Sequence, residues 1–272
     1  MHIIDAQIHL WSQGTVVPPH RTTPYPLAEA LPEMDAAGVT GAIIHPPSWD
    51  PTSNELSIAA AKAHPERFAI LGRIPLDEPE KHGLIETWLD QPGMVGLRYT
   101  FLKPHMKSWP HDGTMDWLWP AAERLGIPIA LLAGDFLPLV GEIAECHPRL
   151  KLIVDHFGVR RLNVDDAAFV TLPDVLALSR HPNIAVKVTG GPQYVSDGYP
   201  FMSLTPRYKA IYDAFGPRRM FWGTDITRMP CSWRECVTAF TEHQPWVPAA
   251  DLPLIMGRGM ADWIGWKRTW SD

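Results

Sequence analysis

The sequence predicts an α/β fold, a single (β/α)8 TIM barrel, on three observations. Short apolar runs and amphipathic stretches alternate eight times at a spacing of roughly 30 residues, the rhythm of a closed barrel. Several of the runs, such as LKLIVDHFG and TGAIIHPP, are almost continuously apolar, as a parallel strand buried on both faces must be. The position after the first strand holds DAQIHLW and no GxGxxG, the phosphate loop that an open, doubly wound sheet commonly carries there. Length agrees, because 272 residues stand close to the roughly 250 typical of such a barrel.

The first strand spans 2–9, and simple alternation along it puts Asp5, Gln7 and His9 on one face. A polar, Pro-rich loop over 12–26 carries His20 and Arg21, and the helix at 27–38 ends at Gly38, placed as a C′ glycine. Residues 40–45 form the second strand, closed by Pro46 and Pro47. The helix at 53–64 opens with Ser53-Asn54-Glu55, which are N-cap residue types. Strand three covers 68–74 and its helix 80–90; strand four covers 95–101, and a long loop with Trp109 and His111 leads to a helix at 115–125. Strands at 127–132 and 150–157 precede helices at 136–146 and 167–178. The strand at 184–189 is joined by a long loop to a helix at 205–214, and the eighth, at 220–225, is followed by a helix at 232–243. An extra C-terminal helix, about 251–264, closes the chain. No linker interrupts the pattern, so residues 1–272 read as one domain.

Composition narrows the function. A hydrophobic fraction of 46% supports a large core, and a net charge of −6 argues against nucleic acid as a partner. No apolar run approaches a membrane span, so no membrane partner is expected. Cys146, Cys231 and Cys236 form no CxxC pair and no disulfide framework, and no signal peptide is apparent, which suits a reducing cytoplasm. GxSxG, HExxH and P-loop motifs are absent, so serine-hydrolase and nucleotide-binding readings have no residues to rest on.

In such barrels the active site lies at the C-terminal ends of the strands. Those ends carry Asp5, Gln7 and His9 on strand one, His45 on strand two, Arg73 on strand three, and Arg98 and Tyr99 on strand four. Lys103 and His105 lie just beyond strand four. Strand six ends in Asp155-His156, strand seven carries Lys187, and strand eight ends in Asp225 with Arg228 in the loop after it; the N-terminal ends show no comparable polarity. Each has a bland reading beside the functional one. Asp225 and Arg228 can form a buried pair, Asp155-His156 a hydrogen-bonded corner, and Arg98 a partner of Asp5. Arg73, Lys187, His45 and Tyr99 can be barrel-core packing, and Cys231 and Cys236 inert hydrophobes.

The opening IDAQIHLW, the IVDHFG of strand six, the KVTG of strand seven and the FWGTD of strand eight resemble the amidohydrolase superfamily. More narrowly they are similar to the amidohydrolase-related group that holds 2-pyrone-4,6-dicarboxylate lactonase, sulfomuconolactone hydrolase and sugar lactonases. GLRYTF on strand four looks like the substrate-arginine strand of those lactonases. The motifs keep their order along nearly the whole chain. The resemblance implies a distorted, amidohydrolase-like barrel in which Asp225 is a general base. His156 would orient the substrate carbonyl or ligate a metal, with His9 beside it, and Arg98 would hold a substrate carboxylate. A small anionic, carboxylated substrate is the expected partner, and the chain can form a homo-oligomer.

One departure bears on the metal. The family opens with His-x-His, and here the first position is Gln7; the lysine or histidine usual after strand five is missing too. A binuclear site is therefore not expected. Either no metal is used or one divalent ion, zinc or manganese, sits on His9, His156 and Asp225. The function expected is hydrolysis of a lactone on a carboxylated molecule. The alternatives are a metal-dependent, non-oxidative decarboxylase of an aromatic or muconate-type acid, and a non-catalytic barrel.

Overall fold

The computed structural model describes residues 1–16, 18–160 and 162–270. Eight strands form one parallel sheet in sequence order: β1 (Ile4–Ile8), β2 (Gly41–Ile44), β3 (Phe68–Gly72), β4 (Met94–Tyr99), β5 (Ile129–Leu131), β6 (Leu152–Val154), β7 (Ile184–Thr189) and β8 (Met220–Gly223). The sheet curls until β8 meets β1, where the Asp225 N–H donates to the Gln7 carbonyl at 2.9 Å. Gly223 permits that approach, since a Cβ there would lie 2.7 Å from the Ala6 nitrogen.

Outside the barrel run α1 (Leu27–Ala37), α2 (Ser53–Ala63), α3 (Leu118–Leu125), α4 (Leu137–Cys146), α5 (Leu172–Ala177), α6 (Thr205–Phe215) and α7 (Trp233–Thr241), while α8 (Gly259–Ile264) lies across one end of it. Their apolar faces pack on outward strand residues such as Ile8, Ile44, Ile70, Leu97 and Val186. The inward residues Ile4, Ile43, Ala69, Leu71, Ala130, Ile153, Ala185 and Phe221 form a second core with Met260, Ala261 and Ile264 of α8. The extra C-terminal helix therefore plugs one end of the barrel with apolar side chains, of which Met260 and Ile264 contribute about 1.5–3 kcal/mol each when fully buried. The buried polar side chains His9, His156, Lys187 and Asp225, with the partly buried Arg98, gather toward the other end. No helix among the described residues is long and apolar enough to cross a membrane.

Local differences from the sequence reading have physical causes. The stretch expected as a helix over 80–90 is a 3-10 run, Pro79–Asp90, with a break at Thr87; Gly83 and the β-branched Thr87 weaken a longer α-helix there. The helix expected from 167 starts at Leu172, because Pro173 fits only in a first turn. Gly38 does terminate α1 in the left-handed region, at φ 76°. Ser53 is not a side-chain cap: Thr52 precedes α2, and the Asp50 carboxylate takes the Thr52 N–H at 2.8 Å.

The strand-one expectation needs the largest correction. The β1–β2 register shifts between Asp5 and Ile8, and the extra residue of a bulge breaks the alternation. Gln7 and His9 face the barrel mouth, whereas Asp5 turns toward β8 and α7. There it accepts from the Thr224 N–H at 2.8 Å, the Thr224 hydroxyl at 2.5 Å and Trp233 Nε1 at 2.9 Å. Burial raises its pKa to about 6 against these donors. Asp5 is a tie between β1, β8 and α7.

Candidate active site

The polar end of the barrel opens into a cavity lined by His9, His20, Trp49, Arg73, Arg98, His156, Asp225 and Arg228, with Pro46, Leu102 and Leu132 among its apolar walls. Its two central side chains come from turns that leave the strand conformation. His156 (φ 51°), just after β6, and Asp225 (φ 59°), just after β8, both occupy the left-handed region that L-residues seldom adopt. Fixed partners hold them there. His156 Nδ1 meets Thr189 Oγ1 at 2.8 Å, and Asp225 is clamped between Gln7 and Arg228.

Beneath the cavity floor lies Lys187, completely buried on β7. Its ammonium is 2.6 Å from Asp155 Oδ1, 2.9 Å from Gln7 Oε1 and 3.2 Å from His45 Nε2. Burial lowers its pKa to about 8 against the pull of Asp155, whose own carboxyl stays well below its usual range beside Lys187 and Arg98 despite burial. The ammonium only donates, so it fixes Gln7 with Oε1 downward and Nε2 upward. Gln7 Nε2 then donates to His156 Nε2 at 3.1 Å and to Asp225 Oδ2 at 3.4 Å. That bond makes His156 Nε2 an acceptor and places its proton on Nδ1, facing Thr189. With its proton on Nδ1, His156 presents no Nε2–H to the cavity.

His9 has the same tautomer for a different reason. Its Nδ1 lies 2.5 Å from the His45 carbonyl, which can only accept, so Nε2 is bare. That bare nitrogen points at Asp225 Oδ1 across 3.3 Å, and Oδ1 is buried with no hydrogen-bond donor among the described residues. Burial drives the pKa of His9 to about 3. Two lone pairs facing each other in a buried site call for a cation between them. His20 completes a trio, for ligand atoms of His9, His20 and Asp225 all lie within 4.8 Å of one another. The three fit one divalent ion with an open position for water.

The trio whose ligand atoms lie closest together thus contains His20, whereas the set expected from sequence is His9, His156 and Asp225. The Pro-rich loop brings His20 there, pinned by the Arg21 N–H to the Thr227 carbonyl at 2.8 Å and by His20 Nδ1 to Thr227 Oγ1 at 2.8 Å. Trp49 packs on both imidazoles, with ring centroids 5.8 Å from His9 and 5.1 Å from His20. His20 and Trp49 were missed as site residues; their only sequence signal is their position in the loops after strands one and two, where barrel sites are built.

Of the other expected residues, Arg73, Arg98 and Arg228 reach the cavity. Arg98 Nε pairs with Asp155 Oδ2 at 2.8 Å and not with Asp5. Arg228 places Nη1 3.3 Å from Asp225 Oδ2, while its Nε donates to Gln193 Oε1 and its Nη2 to the Tyr194 hydroxyl. Burial pushes the Asp225 carboxyl up, but His20 and the permanent charge of Arg228 more than reverse this and hold it below the usual carboxylate range. Gln7 acts from the cavity's edge, and Lys187 and His45 support it from below. Burial, then Lys187, depress the pKa of His45 strongly. Tyr99 is not brought to the site. It packs in the layer between barrel and helices, its hydroxyl on the Ile74 carbonyl at 3.2 Å, because alternation sends it opposite to its neighbour Arg98.

Comparison with known proteins follows these features. The amidohydrolase family model matches residues 4–271. An L-fucono-1,5-lactonase from Burkholderia ambifaria is 24% identical over 164 residues, 58% of this chain and 54% of that protein, so the match spans about half the length of the curated relative. An amidohydrolase from Burkholderia multivorans, solved with bound zinc, superposes with a TM-score of 0.80 at 18% identity, covering 97% of this chain and 99% of its own. A proposed 2-pyrone-4,6-dicarboxylic acid hydrolase from Pseudomonas putida superposes with a TM-score of 0.75 at 21% identity, covering 98% of this chain and 99% of its own. At these identities the structural likenesses speak for the fold.

Proposed function

The chain belongs to the amidohydrolase family, and from that premise we propose that it hydrolyses a lactone ring on a small carboxylated molecule, with Asp225 as the proton acceptor for the attacking water. The observation that carries this reading is the unequal pair of Asp225 oxygens. Oδ2 accepts from Gln7 and Arg228, while Oδ1 is buried at the cavity without a donor. Oδ1 carries two lone pairs, one directed at His9 Nε2, where an ion would sit, and one left to take a proton. Water adds to the ring carbonyl and gives its proton to Oδ1. The ring C–O bond then breaks, the leaving oxygen takes that proton back, and the hydroxy acid formed releases one proton to solvent at neutral pH.

A strongly acidic carboxyl is a weak base on its own, since general bases work best near the operating pH. A divalent ion held by His9, His20 and Asp225 would supply the missing activation by lowering the pKa of bound water and polarising the carbonyl. Gln7 and Lys187 keep Asp225 and His156 oriented, and an arginine of the cavity receives the substrate's negative charge. The zinc in the Burkholderia multivorans structure and the lactonase activity named for the Burkholderia ambifaria relative support this reading.

A panel of γ- and δ-lactones bearing a carboxylate tests it, with ring opening followed through a pH indicator. One proton per turnover from at least one member is the expected result. Carbon dioxide release from an aromatic or muconate-type acid, with no lactone opened, would overturn it in favour of decarboxylation.

A further inference from the structure

We propose that Arg73 is the anion receptor of this site and that its guanidinium, in preference to that of Arg98, takes the carboxylate of the ligand. The inference rests on the lactonase reading only in calling that ligand a substrate. Three guanidinium groups line the cavity, Arg73, Arg98 and Arg228, against the single carboxylate of Asp225. Beneath them Lys187 and Asp155 oppose one another at 2.6 Å. Arg98 leans on Asp155 through Nε, and Arg228 leans on Asp225. Arg73 differs: among the described residues no carboxylate lies within ion-pair distance of it. Asp77 and Glu78 border an adjoining hollow that Arg73 also lines, and Glu78 is engaged by Lys81 at 2.6 Å. Burial and the neighbouring Arg98 both push the Arg73 pKa down, with only Tyr99 acting against them.

A half-buried cation beside a second cation, with no counter-ion, is an unfavourable arrangement that an incoming anion relieves. The planar fork of an arginine whose donors are unspent binds a carboxylate through two parallel bonds. Arg98 has already spent Nε on Asp155. Position agrees with charge. Arg73 lies just after β3, on the wall shared by the catalytic cavity and the hollow formed by Ser48, Thr100, Lys103 and Trp109. A ring whose carboxylate rests on Arg73 can present its carbonyl toward Asp225, with room for a substituent in the hollow. The ligand class is a small ring carboxylate.

The test is direct binding, which needs no turnover. Tetrahydrofuran-3-carboxylate, which has no ester to hydrolyse, serves as the probe in isothermal titration calorimetry, with its uncharged carboxamide as control. The wild type is expected to bind the carboxylate and to bind the carboxamide at least tenfold more weakly. Arg73→Gln is expected to lose at least tenfold in affinity for the carboxylate, Arg73→Lys to fall between the two, and Arg98→Gln to lose less than threefold, each variant first checked by thermal unfolding. Equal binding by Arg73→Gln and wild type overturns the proposal, as does a loss in Arg98→Gln matching that in Arg73→Gln, or no binding by the wild type. If the probe binds through Arg73 while no lactone is opened, the proposed reaction fails and the receptor stands.

Discussion

At the scale of single residues, the site is decided by which atoms carry protons. The Lys187 ammonium sets the Gln7 amide, the amide sets the His156 tautomer, and the His45 carbonyl sets that of His9. His9 is left presenting a bare nitrogen to Asp225 Oδ1, which predicts where a metal binds. Elemental analysis of protein purified with zinc in the medium is expected to give about one ion per chain. His20→Ala should weaken zinc affinity by more than about a hundredfold, beyond the 10–100-fold typical of losing an outer partner. His156→Ala should retain the ion. Zinc retained by His20→Ala and lost by His156→Ala would return the site to the set expected from sequence.

At the scale of elements, the buried charges act as ties between strands. Lys187 on β7 reaches Gln7 of β1, His45 after β2 and Asp155 after β6. Removing one partner of such a buried pair leaves the other uncompensated, so Lys187→Met is expected to cost about 3–5 kcal/mol in urea unfolding. The pH dependence has a definite sign. With the folded pKa near 8 and the unfolded value 10.5, the unfolded state binds more protons between those limits. The Lys187 contribution to stability therefore rises as pH increases through that window and is flat below it. The gap between wild type and Lys187→Met should widen by up to about 3 kcal/mol from pH 7.5 to 10.5; a gap that narrows would contradict the burial of a charged lysine.

The same scale explains what could be read in advance. Strand order, the polar strand ends and most of the cavity's charged and histidine side chains were legible, because buried parallel strands write themselves as apolar runs and their C-terminal ends as breaks in those runs. The fate of Asp5 was not, since one bulged residue reverses the facing of a side chain without changing the apolar pattern around it. Nor was His20, whose place depends on contacts between the loop after β1 and Thr227 after β8, far apart in sequence. Tyr99 and Arg98 are adjacent at one strand end, and only alternation separates wall from cavity.

At the scale of the whole molecule, a chain with a net charge of −6 concentrates positive groups in the barrel mouth. Salt screens the acidic exterior beyond about 8 Å at physiological strength, so an approaching anion meets chiefly the local field of the arginines. The apolar plug of α8 closes the opposite end and leaves the mouth as the way in. The layout converges on Asp225, and the most direct measurement is the turnover of Asp225→Asn on whichever carboxylated lactone the wild type opens fastest. The account predicts that kcat falls by about 10²–10⁴ while the variant stays folded, the scale of losing a general base. A folded Asp225→Asn enzyme that keeps kcat within a few-fold of the wild type would contradict it.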